Sequence, residues 1–198
     1  MIRFERVSAP QGFHERVWKR GNEWLRDTAS GRPPAYWTEF LAELADAFQS
    51  LCAYSAMYVE DGTVDHFISI CEDRSKAYDW TNYRYAAGSV NSRKRSVHSS
   101  MLIDPFDVQE EWFEVLLPSL ELVVTDKMPV ELRARAQFML ERLQLGRGGR
   151  VMRRRAEWMR MYVEGELTLD GLAKKAPLLA AAIRKQQGTG ELAGNARG

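Results

Sequence analysis

Hydrophobic spacing changes character twice along this chain, and those two changes set its fold class. In "AYWTEFLAELADAFQSL", residues 35–51, Trp37, Phe40, Leu41, Leu44 and Phe48 fall at i, i+3, i+4, i+7 and i+11. That is the period of an amphipathic helix, with Thr38 near its start. From Cys52 the period is lost. "CAYSAMYVEDGTVDHFISI" places β-branched and aromatic residues on both sides of "EDG", which predicts a hairpin around that turn. A short strand and then a helix starting near Ser89 are expected within "NYRYAAGSVNSRKRSV", and "LELVV" reads as a further strand. Helical signals return at 129–145, 149–164 and 168–185. Pro129 suits a first turn, Gly146 a C-cap and Thr168 a helix start, while Pro177 would kink or restart the last helix. An earlier helix is expected over 13–27, weakened by Gly21. The expected class is therefore α+β. An N-terminal helical segment (1–50) precedes a small β-containing core (51–105), then a C-terminal helical region (106–186) and a flexible tail (187–198), all in one compact unit.

A chain of 198 residues with 45% hydrophobic residues can bury one sizeable core. Its net charge of +1 hides an asymmetry. Residues 104–126 carry seven acids and no Lys or Arg, whereas 142–160 carry seven arginines against Glu157 alone. A nearly neutral chain can thus present a basic face to a polyanion. The two cysteines, Cys52 and Cys71, make no disulfide framework, and no run approaches the ~18 apolar residues of a membrane span. With Arg3, Glu5 and Arg6 interrupting any signal-like start, the expectation is a cytoplasmic protein with reduced thiols and no membrane partner.

The residues with the most chemical potential are in the centre. Asp65 stands beside His66, one of three histidines, and Asn82 and Asn91 follow. A neutral imidazole can take a proton from water near neutral pH. A carboxylate and an amide oxygen are hard donors of the kind Mg²⁺ accepts, along with several waters. Arg93, Lys94 and Arg95 directly follow Asn91, where cations could hold a phosphate backbone. An Asp-His pair by itself is more often an ordinary strand end. His14 and His98 read as surface residues, Tyr78 and Trp80 as packing. The arginines of "RVMRRRAEWMR" could be either a solvated helix face or phosphate contacts, Arg153 and Arg154 foremost.

Taken together, "CAYS", "VDHF", "WTN", "AAGSVNSRKR" and "IDP" resemble the HNH nucleases. The likeness is to a bacterial branch with a Cys-x-x-Cys pair before the Asp-His and a second after the middle asparagine. It is tightest over 52–105 and extends loosely to "LERLQLG" and the arginine-rich helix. It implies a ββα-metal core around one divalent cation, Mg²⁺ or Mn²⁺. His66 would be the general base, Asn82 the brace that orients it, and Asp65 and Asn91 the metal ligands. It further implies DNA as substrate and a role in bacterial defence against phage beside a partner ATPase. Of the four zinc-binding cysteine positions of this branch only Cys52 is kept; the others read Ser55, Ala87 and Val90. One thiolate cannot hold a tetrahedral zinc, so no structural zinc is expected. The rival expectation is an idle module of the same shape that docks a partner ATPase or nucleic acid.

Overall fold

The computed structural model describes residues 1–195, and the side chains of residues 1–188. Both N-terminal helices form in two stages. A π-helical turn, His14–Lys19, leads into α1 (Arg20–Asp27), and a 3₁₀ turn, Tyr36–Phe40, leads into α2 (Leu41–Ala47). Gly21 has a packing reason for its place in a helix: a Cβ there would stand 2.2 Å from the Tyr78 ring. The helix axis lies against an aromatic face that only glycine admits.

In the centre, β1 (Gly62–His66) pairs antiparallel with β2 (Tyr83–Ala87), and α3 (Gly88–Lys94) follows β2 directly. The hairpin expected around "EDG" does not form. The residues before it fold instead into a tight turn in which the Cys52 N–H bonds Met57 O at 2.8 Å and Ala56 takes φ 51°. Leu51 and Tyr58 form an isolated antiparallel bridge across it. The partner of β1 comes from beyond the following loop because Tyr85 anchors that pairing. Its hydroxyl donates to Val59 O and accepts from the Gly62 N–H, each at 2.9 Å, and its ring lies where any Cβ on residue 62 would be. Both α2 and α3 pack on this two-stranded sheet.

A second antiparallel pair, β3 (Phe113–Leu116) and β4 (Glu121–Val124), includes the strand expected in "LELVV". It is held between α4 (Val130–Arg142), which lies on β4, and α7 (Pro177–Asn195), which lies on β3. Between them come α5 (Gly149–Val163) and α6 (Leu169–Lys175). Thr168 caps α6 by accepting the Gly171 N–H at 3.0 Å, and Pro177 restarts the chain as α7. Of the expected tail at 187–198, α7 takes in the residues through Asn195, and 196–198 lie outside the described residues. The chain is a mixed helix and sheet structure, as the α+β expectation had it. Buried apolar residues from Met1 to Ile183 form one contiguous cluster. No described helix is long and apolar enough to cross a membrane.

Candidate active site

The Asp-His pair ends β1, so the ladder with β2 fixes both residues: Asp65 is paired with Arg84, and His66 with Tyr83. An open cleft of about 710 Å³ runs past this strand end. Asp65, His66 and Asn91 all line it, joined by Arg32 and Trp37 of the N-terminal segment and by Arg95 beyond α3. Three of the four central residues singled out in the sequence therefore meet on one surface. Asn82 stands behind it, buried.

His66 is held by one hydrogen bond and two rings. Its Nε2 is 2.8 Å from the carbonyl oxygen of Ala77. A carbonyl can only accept, so Nε2 carries the proton and, in the neutral ring, Nδ1 keeps a bare lone pair. Trp37 and Tyr83 meet the imidazole edge to face, with centroids 4.5 and 5.0 Å away. Burial lowers the His66 pKa from its ordinary value; the Lys94 charge acts the same way, while the Ala77 bond and Asp65 pull against them. The net result favours the neutral, proton-accepting ring.

Asn82 acts on that histidine at one remove. Its Oδ1 accepts the Ile68 N–H at 2.7 Å, and its Nδ2 donates to the carbonyls of Ile68 and Lys76 at 2.9 and 3.0 Å. Its side chain thus clips both ends of the loop that carries Ala77. The Tyr83 hydroxyl donates to the same Ala77 oxygen at 2.9 Å. Asparagine suits the position because it has one acceptor and two donor hydrogens to place, and all are used.

Asn91 projects from α3 back to β1, donating through Nδ2 to Thr63 Oγ1 at 3.0 Å and to Val64 O at 3.1 Å. Both amide hydrogens are spent on the strand, which fixes the orientation of the amide. Its Oδ1 remains as an acceptor on a residue that lines the cleft. Asp65 is 2% exposed. Its Oδ2 accepts from the Tyr54 hydroxyl at 2.6 Å, and its Oδ1 lies 3.1 Å from Lys94 Nζ. Burial, then the Asp65 charge, raise the Tyr54 pKa well above its ordinary value, so that hydroxyl stays a donor.

A carboxylate and an amide oxygen are donor types that a hard divalent cation accepts, but both Asp65 oxygens are already engaged, by Tyr54 and Lys94. Among the described residues, no three His, Cys, Asp or Glu side chains gather where they could hold a metal. A cation here would rest on one carboxylate, one amide oxygen, water and substrate, as Mg²⁺ commonly does. Cys52, Ser55 and Val90 are buried, and Ala87 partly so.

The basic residues divide sharply. Lys94, expected on the surface as a nucleic-acid contact, is 0% exposed, with its ammonium turned inward to Asp65 and to the His66 carbonyl. It cannot reach a phosphate, and that expectation is corrected. Arg93 is half-buried and donates to Ser89 O, while Arg95 is exposed at the cleft with φ 47°. Arg153 and Arg154 are exposed on α5, and neither lines the cleft. The apparent excess of arginine over 142–160 shrinks on inspection. Arg147 pairs with Glu121, Arg160 with Glu157, Glu164 and Glu166, and Arg155 is buried.

Sequence reasoning missed four participants. Tyr54 and the Ala77 carbonyl carry no motif of their own. Trp37 stands in the sequence only as one apolar position on a helix, and Arg32 has no place in the motif. A signal for Tyr54 and Lys94 did exist: a carboxylate on a strand of a packed core needs partners, and a lysine on the adjoining helix could supply one. Compared with known proteins, the chain matches no family model and no curated protein.

Proposed function

We propose that this chain is a metal-dependent endonuclease of the HNH type that hydrolyses DNA phosphodiester bonds, using Mg²⁺ or Mn²⁺. One observation carries the reading. His66 is fixed through Nε2 to a carbonyl, and the Nδ1 so left unprotonated belongs to a residue that shares a cleft with Asp65 and Asn91. The strand-strand-helix order of β1, β2 and α3 supports it as well.

In this reading His66 Nδ1 takes the proton of the attacking water, and the imidazolium formed passes it to solvent. Asn82 keeps the Ala77 carbonyl in place and so keeps the ring aimed. Asp65 and Asn91 would hold the divalent ion, which when bound stabilises charge developing on the leaving 3′-oxygen. Arg95 and Arg32, which line the same cleft, would hold the phosphate backbone. The setting implied by the family likeness is anti-phage defence beside a partner ATPase. A second reading, an idle module that docks such a partner, is favoured by the full engagement of Asp65 with Tyr54 and Lys94.

Plasmid nicking by the purified chain with Mg²⁺ or Mn²⁺ separates the two. Wild-type cutting that is lost in EDTA and falls at least 10²-fold in His66→Ala supports the nuclease. No cutting with either metal, alone or with a co-expressed ATPase, leaves the idle module.

A further inference from the structure

Lys94, on α3 beside the end of β1, is wholly cut off from water. A wholly buried ammonium is tolerated only where it is paired and hydrogen-bonded. Here Nζ donates to His66 O at 2.6 Å and lies 3.1 Å from Asp65 Oδ1. The remaining partner of the carboxylate, the Tyr54 hydroxyl, is neutral. The nearby Arg84 guanidinium is committed to Asp104, with contacts of 2.9 and 2.5 Å. The charge of Asp65 is therefore balanced from within the fold, by a cation on α3 that also grips the backbone between the two residues of the Asp-His pair and the loop.

We propose that Lys94 is the internal cation of this site: it neutralises Asp65 and keeps the end of β1 assembled while no divalent ion is bound, and a divalent ion must compete with it for the same carboxylate. The inference rests on the metal-dependent reading above. Two positive charges that share one carboxylate repel each other, strongly so out of water. Removing the lysine would leave a buried carboxylate without a counter-charge, the costly way to break a buried pair. The protein would then gain more of its stability from a bound divalent ion, because a ligand that binds only the folded state stabilises it by mass action. Lys94 is thus a positioning residue, and its signature lies in metal binding and stability rather than in rate alone.

The test uses the full chain and Mn²⁺ alone, with calorimetric titration and thermal melts in EDTA and in Mn²⁺. Wild type is compared with Lys94→Met, which keeps the apolar stem without the charge, and with Lys94→Arg, which keeps the charge. Lys94→Met is expected to melt lower than wild type in EDTA, to regain stability in Mn²⁺, and to bind Mn²⁺ about tenfold more tightly. Lys94→Arg should bind Mn²⁺ as wild type does. Adding Asp65→Asn to Lys94→Met should abolish the tighter binding. If Lys94→Met is unfolded in EDTA, refolding on addition of Mn²⁺ supports the proposal and failure to refold overturns it. Binding of Mn²⁺ by Lys94→Met no tighter than by wild type overturns this inference alone. No Mn²⁺ binding by any of these proteins overturns the metal-dependent reading along with it.

Discussion

At the level of single residues, the arrangement around His66 has a consequence that can be measured without any substrate. Its folded-state pKa is lowered, chiefly by burial, whereas in the unfolded chain it returns to about 6.5. Between the lowered value and about 6.5 the unfolded chain binds more protons than the fold does. Stability therefore rises with pH through that window and is lost as the solution is acidified through it. An NMR titration of the His66 ring should find its midpoint below about 6.5 in the folded protein, and the difference should vanish in urea. A His66 midpoint at or above about 6.5 would mean that the ring is not desolvated as the packing of Trp37 and Tyr83 requires. The likeness singles out Asp65, His66, Asn82 and Asn91 by side chain and spacing, and the first two and Asn91 line one cleft. It does not single out their partners. The bond that sets the His66 tautomer comes from the backbone of Ala77, and no side-chain pattern encodes which carbonyl a loop will present.

Among the elements, helices were easier to read than strand pairing. The period of 3.6 residues is written into each helix by itself, and α2, α4 and α5 all fall within expected segments. Strand pairing depends on a partner elsewhere, and the "EDG" turn signal pointed to the nearest one. What decides it is Tyr85 on β2, whose ring covers Gly62 and whose hydroxyl closes two backbone hydrogen bonds around it. Gly62 is thus a specificity element of the fold, although its identity alone reads as a turn residue. Gly62→Ala would put a methyl group 2.2 Å from that ring, so either Tyr85 or the strand must move. Overpacking of this kind costs about 1–3 kcal/mol. A chemical denaturation series should show that loss, and Gly62→Ala combined with Tyr85→Ala should lose less than the sum of the two single variants. Strict additivity would show that the two residues do not meet in this register. Because β1 carries Asp65 and His66 at its far end, the same variant should weaken any activity of the cleft.

Across the whole molecule, several charges that form separate blocks in the sequence tie distant parts of the chain together. Members of the acidic run at 104–126 pair outward in several directions: Asp104 with Arg84 of β2, Glu114 with Lys185 of α7, and Glu121 with Arg147 ahead of α5. Two of the cations lie outside the basic run, so a count of charges by segment could not foresee the pairing. Arg155 makes a buried tie of another kind, to backbone carbonyls. It is 2% exposed, and its guanidinium donates to Leu120 O, just ahead of β4, and to Leu145 O beyond α4. Burial lowers its pKa to about 10, which still leaves it charged at neutral pH. One side chain thereby joins α5 to the second hairpin and to the turn after α4. Arg155→Met keeps the apolar stem but leaves two carbonyls short of a donor, at a cost of about 2–4 kcal/mol. Arg153→Met, one residue pair away on the exposed face of the same helix, should stay within about 0.5 kcal/mol of wild type. Urea melts of both variants distinguish a structural arginine from its surface neighbours. Equal midpoints would mean that solvent replaces the guanidinium without loss, and that α5 is held by its apolar residues alone.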